Sequence, residues 1–382
     1  MASTESRLLA TGGDTEACAA ILRDAVAASD ATALHTFIDF MTSNDRPPVV
    51  RINLVTVFSN ELGKVTDRQV HEAVASAAHG KLAGQESFVE QLGKIAKDMA
   101  DRLQAAELWK ETAVWLARVP MERMPAGDRF VLNVKIAQVY LQIPDSISAG
   151  AYLNRALKDQ AACKDEQYST LFNVCRAQVL DYSGQFYKAF KMYYDLSCRG
   201  LLAEEKIHCL RMSVICAVLA KAGPMRSRAL ALIYKDERAK TLDCFSILEK
   251  MYLRRILRPE EIEAFKAQLS PHHIAKGHDG STILERAVRE HNVQAVAGLY
   301  TTIAFAQLGA ILNITPEDAE EIVAELISRG SLSGSIDQAA GFASFSSDSA
   351  LDTWDSSIAA ICQDVNAIIA PIAERFPEFI ES

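Results

Sequence analysis

The residues best suited to chemistry in this sequence are its histidines, four of which lie in one region: His272, His273, His278 and His291. Structural zinc sites need closely paired Cys or His ligands on both sides of the ion, and no cysteine lies near this group. A zinc metalloprotease would carry H-E-x-x-H, or the H-x-H of the deubiquitinase type, and the sequence contains neither. We therefore predict no metal site and no bound cofactor.

Other catalytic motifs are also missing from the sequence. It contains neither a Gly-rich phosphate loop nor a G-x-S-x-G nucleophile turn. Its cysteines form no C-x-x-C pair, and its first residues do not resemble a secretory signal. We predict a chain that is not an enzyme and is intracellular, with reduced and mostly buried thiols at Cys18, Cys163, Cys175, Cys198, Cys209, Cys216, Cys244 and Cys362.

Composition and charge narrow the classes of partner. The 382 residues are 49% hydrophobic, enough for several domains or one long repeat array. The net charge of −9 disfavours nucleic acid and anionic membranes as partners. Residues 292–316 carry no formal charge, but their polar side chains disfavour a membrane span. We predict two buried helices there.

Alanines in the first two thirds of the chain recur at a fixed interval. Ala137, Ala177 and Ala217 are 40 residues apart, and so are three more alanines that follow them by 12 residues: Ala149, Ala189 and Ala229. Small residues allow paired helices to approach closely, and a period near 40 is typical of two-helix repeats. The pattern predicts an α-solenoid.

After the predicted repeats, the sequence favours a helix, a turn, a second helix and a hairpin. Thr315 is the expected N-cap of the second helix, with Pro316 at its first position, Asp318 three residues after the cap and Gly330 at its end. The predicted apolar stripes are Phe305, Leu308, Ile311 and Leu312 in the first helix and Ile322, Val323, Leu326 and Ile327 in the second. Residues 332–337 and 342–345 show strand-like alternation across a Gly-containing turn. This order is typical of a winged helix.

The charge of the second helix decides what such a module would bind. A helix that docks on DNA is rich in Lys and Arg, because phosphate neutralisation dominates affinity. Here five acidic residues stand against Arg329 alone, namely Glu317, Asp318, Glu320, Glu321 and Glu325. We therefore predict a protein-interaction module, with nucleic-acid binding as the disfavoured alternative.

The last helical segment carries apolar residues at alternating spacings of three and four: Leu351, Trp354, Ile358, Ile361, Val365, Ile368 and Ile372. This is a heptad seam, which we call the terminal seam. It holds only about three heptads and Pro371 interrupts it, so an isolated coiled coil would be marginal. The seam favours partner helices, and the alternative is a helix folded back on its own domain.

Three longer motifs carry a family resemblance. They are the run from Tyr234 to Tyr252, D-G-S-T-I-L-E-R-A-V-R-E-H-N from Asp279 and G-S-L-S-G-S-I-D-Q from Gly330, together with S-P-H at Ser270. In this order they resemble the PCI-domain subunits of the COP9 signalosome, and among these the subunit 4 family. The close matches span residues 229–345.

The resemblance implies a mostly α fold in three parts. An N-terminal α-solenoid of TPR-like or HEAT-like repeats would occupy residues 1–228. A PCI domain would follow at 229–346, with a helical part (229–299) and a winged helix (300–346), and residues 347–382 would form a helix for an inter-subunit bundle. The wing would pair edge to edge with neighbouring PCI subunits through Leu332, Ser333, Gly334, Ser335, Ile336, Asp337, Phe342 and Phe345.

The resemblance also implies a role. Such a subunit would be a non-catalytic scaffold of the complex that removes Nedd8 from cullin–RING ligases, located in cytoplasm and nucleus. Its repeats would grip the neddylated ligase and relay this contact towards the metalloprotease-fold subunits 5 and 6. The alternatives are the equivalent PCI subunit of the proteasome regulatory-particle lid and a winged-helix translation-factor or nucleic-acid module.

Overall fold

The computed structural model describes residues 4–11, 14–43, 46–199, 202–276, 280–346 and 350–375. The chain divides into two compact units, Met1–Gly184 and Gln185–Ser382. This division lies earlier than the predicted boundary after residue 228. The last predicted repeat helices therefore belong to the same unit as the winged helix.

Unit 1 is built from helices. They are α1 (Thr4–Ala10), α2 (Thr15–Ala27), α3 (Ala31–Thr42), α4 (Pro48–Leu62), α5 (Arg68–Leu82), α6 (Val89–Ala105), α7 (Trp109–Ala117), α8 (Ala126–Gln142), α9 (Ser146–Asp159) and α10 (Glu166–Tyr182). Aspartates begin several of them by accepting hydrogen bonds from free first-turn N–H groups: Asp14, Asp30, Asp67, Asp145 and Asp165. Local sequence thus fixes where these helices start.

Apolar packing holds unit 1 together. Phe37 of α3 stacks on Phe58 of α4 with ring centroids 6.1 Å apart. Further along, Phe130 of α8 lies 5.5 Å from Phe172 of α10, and all four rings are fully buried. Each buried aromatic ring contributes several kcal/mol relative to alanine.

Unit 2 begins with helices α11 (Phe186–Ser197), α12 (Ala203–Leu219), α13 (Pro224–Tyr234), α14 (Phe245–Tyr252), α15 (Pro259–Lys266) and α16 (Ile283–Ala297). The winged helix follows as β1 (Thr302–Ala304), α17 (Phe305–Leu312), α18 (Pro316–Ser328), β2 (Gly334–Asp337) and β3 (Phe342–Phe345). The chain ends in α19 (Ala350–Arg375). The mostly α fold predicted from the sequence is confirmed.

The alanine period coincides with helix pairs, as predicted. Within each 40-residue interval the first alanine lies in α8, α10 or α12 and the second in α9, α11 or α13. All six are buried: Ala137, Ala149, Ala177, Ala189, Ala217 and Ala229. Small side chains at these positions allow close packing of α8 with α9 in unit 1 and of α12 with α13 in unit 2. The helical-repeat prediction is confirmed.

The winged helix encloses its own core. Thr315 caps α18 by accepting a hydrogen bond from the Asp318 N–H, at 3.2 Å, and Gly330 ends it with φ +66°. Val323 and Leu326 are buried, as predicted. Ile322 and Ile327 are only half-buried and pack against the same cluster.

The sheet of the winged helix has three strands in the order β1-β3-β2, both pairs antiparallel. Strand β1 corrects the prediction of two helices alone within residues 292–316. Thr302 pairs with Ser344 and Ala304 with Phe342. Three residues are too few to show an alternating pattern, so their partner strand decides their conformation.

A polar network ties the winged helix to the repeat helices of unit 2. The carboxylate of Glu290, which is 3% exposed, accepts from the Ala222 N–H at 3.0 Å and from Arg329 at 3.1 Å. Gln294 donates to the carbonyl of Ser331 at 3.1 Å. The loop before α13, helix α16 and the end of α18 are thereby joined.

The terminal helix α19 is continuous. It runs to Arg375, so Pro371, predicted to interrupt the heptad seam, lies within a continuous helix. No helix in the described ranges is both long and apolar enough to cross a membrane.

Candidate interaction surfaces

The sheet edge is the first candidate surface. Strand β3 is hydrogen-bonded to β1 on one side and to β2 on the other. It therefore has no free edge, which corrects the prediction that both wing strands could pair with a neighbour. The edges of the described sheet belong to β2 and β1.

The register identifies which backbone groups β2 presents. The Ser346 N–H bonds to the carbonyl of Ser333 at 3.0 Å, and Ser335 and Asp337 follow in the same alternation opposite β3. In an antiparallel strand the intervening residues point their N–H and C=O groups to the other side. Gly334 and Ile336 thus present these groups at the outer edge.

The side chains of the wing divide into two sets. Phe345 is buried, and Leu332 and Ile336 are half-buried against the winged-helix core. Ser335 and Asp337 are exposed, as is 42% of Phe342, while Ser333 is half-buried. Three of the eight predicted interface residues therefore serve the domain's own core, and a partner strand would meet mainly backbone.

Gly334 is required by its surroundings. A Cβ built at this position would lie 2.5 Å from the carbonyl oxygen of Ser344 and 3.4 Å from the Cα of Phe345. Any side chain would push β2 away from β3. The edge strand thus depends on glycine.

The acidic face of α18 is a second surface. Glu317, Asp318, Glu321 and Glu325 are exposed, and Glu325 pairs with Arg329. Glu320 is half-buried and accepts from the side chain of Gln338 at 2.5 Å. The acidic helix therefore presents mostly free carboxylates to solvent.

The terminal seam is the third surface. Trp354 is 71% exposed, Ile361 61% and Ile368 62%, and Ile358 and Val365 are also exposed. The side chains of Leu351 and Ile372 lie outside the described set. The alternative of a helix folded back on its own domain is therefore wrong for the described part of the seam.

Two of the four clustered histidines, His273 and His291, are buried in unit 2. His291 is buried in α16, and its Nε2–H donates to the carbonyl of Arg255 at 2.9 Å. Burial, opposed by the hydrogen bond to Arg255 and assisted by the charges of Arg226 and Arg254, lowers the pKa of His291 to about 4. His273 is buried, its ring 6.2 Å from that of Phe186, and His278 lies outside the described residues.

Comparison with known proteins identifies the family of this chain. The PCI domain model matches residues 247–347. The chain is 38% identical to COP9 signalosome complex subunit 4 of Drosophila melanogaster, over 78% of this chain and 74% of that protein. It is 35% identical to the protein of that name in Dictyostelium discoideum, over 96% and 94%, and 34% identical to the one in Arabidopsis thaliana, over 93% of each. At this identity and coverage, the chain belongs to the COP9 signalosome subunit 4 family.

Proposed function

We propose that this chain is a non-catalytic scaffold subunit of the COP9 signalosome, the complex that removes Nedd8 from cullin–RING ligases. The observation that carries the proposal is the exposed terminal seam. A second support is the open edge of β2. Within the described residues, the seam side chains are exposed and the outer side of β2 has no strand partner.

The terminal seam favours a helical partner. Its five described side chains recur every three or four residues, which matches the knobs-into-holes geometry of helix bundles. Each large apolar side chain removed from water would stabilise the assembly by roughly 1.5–3 kcal/mol. We propose that α19 enters a helical bundle with other signalosome subunits.

The edge of β2 favours a partner that adds a strand. The outward-facing groups of Gly334 and Ile336, which no described strand pairs, can extend the sheet by one strand from a neighbouring PCI subunit. Backbone groups would supply most of this contact. The neighbour therefore needs a free edge strand, and the identity of its side chains matters less.

The resemblance supports a finer assignment. The repeat helices would grip a neddylated cullin–RING ligase and relay this contact to the metalloprotease-fold subunits 5 and 6. The catalytic zinc would belong to a partner, since this sequence lacks H-x-H and H-E-x-x-H. The chain would act in cytoplasm and nucleus, without a cofactor.

Nucleic-acid binding is disfavoured by α18. Its exposed carboxylates would repel phosphate, whereas nucleic-acid binders gain affinity by neutralising phosphates. The acidic face of α18 would instead complement a protein partner with a basic surface.

The test is affinity purification of the tagged chain from its own cells, with mass spectrometry of the partners and measurement of cullin modification after depletion. We expect signalosome subunits among the partners and accumulation of Nedd8–cullin. Recovery of proteasome lid subunits with unchanged cullins would contradict the proposal. Recovery of the chain alone or with nucleic acid would contradict it as well.

A further inference from the structure

Unit 2 contains a large cleft outside the surfaces described above. It lies between the start of α13, the end of α14, the end of α16 and the segments flanking the wing strands, with a volume of about 790 Å³. Its lining includes Arg226, Arg228, Arg254, Leu230, Met251 and Leu332. We call it the arginine cleft.

The charge of the arginine cleft is opposite to that of the chain. Three arginines line it, and no described lining residue is Asp or Glu. The whole chain carries a net charge of −9. A positively charged pocket in a negatively charged molecule concentrates positive potential where an anion could enter.

Arg226 is the most unusual of the three arginines. Only 2% of this residue is exposed, yet its guanidinium bonds to neutral acceptors, the Gln294 side chain at 2.9 Å and the Ala220 carbonyl at 3.4 Å. The nearby Glu290 is occupied by Ala222 and Arg329. Burial accordingly lowers the pKa of Arg226 to about 10. The charge of nearby Glu290 offsets part of this lowering. Arg226 therefore adds positive potential at the base of the cleft without itself being open to a ligand.

The other two arginines are available at the rim. Arg228 and Arg254 are exposed, and neither forms an ion pair with any residue that the structure describes. Arg254 has φ +52°, a strained conformation for a residue with a side chain. Since nothing within the described chain neutralises them, both are free to pair with an external carboxylate.

The walls of the arginine cleft are partly apolar. Leu230 and Met251 are buried beneath its surface and Leu332 is half-buried. Tyr252 also lines it, with its ring stacked on Tyr234 at 4.3 Å. A small inorganic anion would use only the arginines, whereas a peptide could use both the arginines and the apolar wall.

We propose that the arginine cleft binds an acidic peptide segment of a partner protein, with carboxylates paired to the exposed Arg228 and Arg254 and an apolar side chain packed on the half-buried Tyr252 and Leu332. The planar guanidinium fork suits carboxylates because it can bind both oxygens at once. This inference does not rest on the proposed function, and its test uses the purified chain alone.

The test is fluorescence anisotropy with a labelled peptide of sequence DEDLFEDE. We expect the full chain to bind it, and the amide analogue NQNLFQNQ to bind at least about tenfold more weakly because the charge pairs are lost. Replacing Leu and Phe of the probe by Ser should also weaken binding, by a smaller factor. Equal binding of the acidic peptide and its amide analogue would overturn the proposal.

Matched variants locate the binding. Arg228→Glu with Arg254→Glu should weaken binding of DEDLFEDE at least about tenfold. Arg255→Glu with Arg258→Glu makes the same charge change at exposed residues outside the cleft, and should change binding by less than about twofold. Circular dichroism of each variant should match that of the parent chain. Equal losses in both variants would indicate a non-specific charge effect and overturn the proposal. Tighter binding of an oligothymidylate than of the peptide would overturn it in favour of nucleic acid.

Discussion

Helices α12 and α19 both carry apolar residues at helical spacing, but their surroundings differ. Leu210, Val214 and Ala217 of α12 are buried within unit 2. Ile361 and Ile368 of α19 are more than 60% exposed. The pattern that identifies an apolar face does not identify what covers it.

The difference separates two kinds of apolar face. Helix α12 contributes to the free energy of unfolding of the chain itself, because its face leaves water when the chain folds. Helix α19 keeps its described seam in water, and that face would be buried only when a partner binds. Substitutions in the two regions should therefore affect different quantities.

The largest expected effect on the chain's own stability is that of Phe130→Ala. This ring is fully buried against Phe172, so its removal leaves a cavity. We expect the free energy of unfolding to fall by about 3–5 kcal/mol, measured by urea unfolding of the full chain. A loss below about 1 kcal/mol would contradict the packing described for unit 1.

The next effect concerns the buried His291. Burial lowers its pKa to about 4, below the value of about 6.5 in an unfolded chain. Between these pH values the unfolded chain binds a proton that the folded chain does not, so the free energy of unfolding falls as pH falls from 6.5 to 4. The loss should approach about 3 kcal/mol.

His291→Gln is the control for this pH dependence. Glutamine can still donate to the Arg255 carbonyl but does not titrate, so urea unfolding between pH 6.5 and 5 should become less dependent on pH. His71 in unit 1 also has its pKa lowered to about 4 by burial, so part of the dependence will remain. An unchanged slope in the variant would contradict the buried neutral state of His291.

A smaller effect is expected for Glu290→Gln. The substitution keeps an oxygen for the Ala222 N–H but removes the charge that faces Arg329. We expect the free energy of unfolding to fall by about 2 kcal/mol. Glu321→Gln on the exposed face of α18 is the matched control and should stay within about 0.5 kcal/mol of the parent. Equal effects in the two variants would contradict the network.

The smallest effect on the isolated chain is expected for Trp354→Ala. This tryptophan is 71% exposed, so its truncation should change the free energy of unfolding by less than about 0.5 kcal/mol. The contrast with Phe130→Ala is direct, because both remove an aromatic ring. Strong destabilisation by Trp354→Ala would mean that the terminal helix is covered by its own chain.

Much of the fold was predictable because its signals are local. Thr315 and Gly330 mark the ends of α18 in the sequence itself, and the alanine period marks successive helix pairs. Each of these signals needs only the geometry of one helix or of two adjacent ones. These features can therefore be predicted without knowledge of contacts between residues far apart in the sequence.

The missed features depend on residues far apart in the sequence. Strand β1 exists because β3, about 40 residues later, pairs with it. Glu290 and Arg226 have the sequence surroundings of exposed helical residues, yet both are buried, Arg226 bonded to Gln294 and Glu290 to Ala222, which lies 68 residues earlier. The central position of β3, which removes one predicted edge, likewise requires the register of the whole sheet.

For the candidate surfaces, the sequence predicted the spacing of apolar residues but not whether each residue faces solvent or the chain's own core. The spacing of Trp354, Ile361 and Ile368 marked one face of a helix, and the structure shows that this face is exposed. Its role as an interface stays a prediction. For the wing, the sequence could not separate Ile336, which packs inward, from the backbone groups that β2 presents outward.

The most direct test of the central claim places charge on the terminal seam of the tagged chain in its own cells. Ile361→Asp with Ile368→Asp should reduce the recovery of signalosome subunits at least about tenfold, because a desolvated interface cannot accommodate unpaired carboxylates. Gln363→Asp with Asn366→Asp adds the same charge off the seam and should leave recovery unchanged. Retention of every partner by the seam variant, or equal loss in both, would contradict the account.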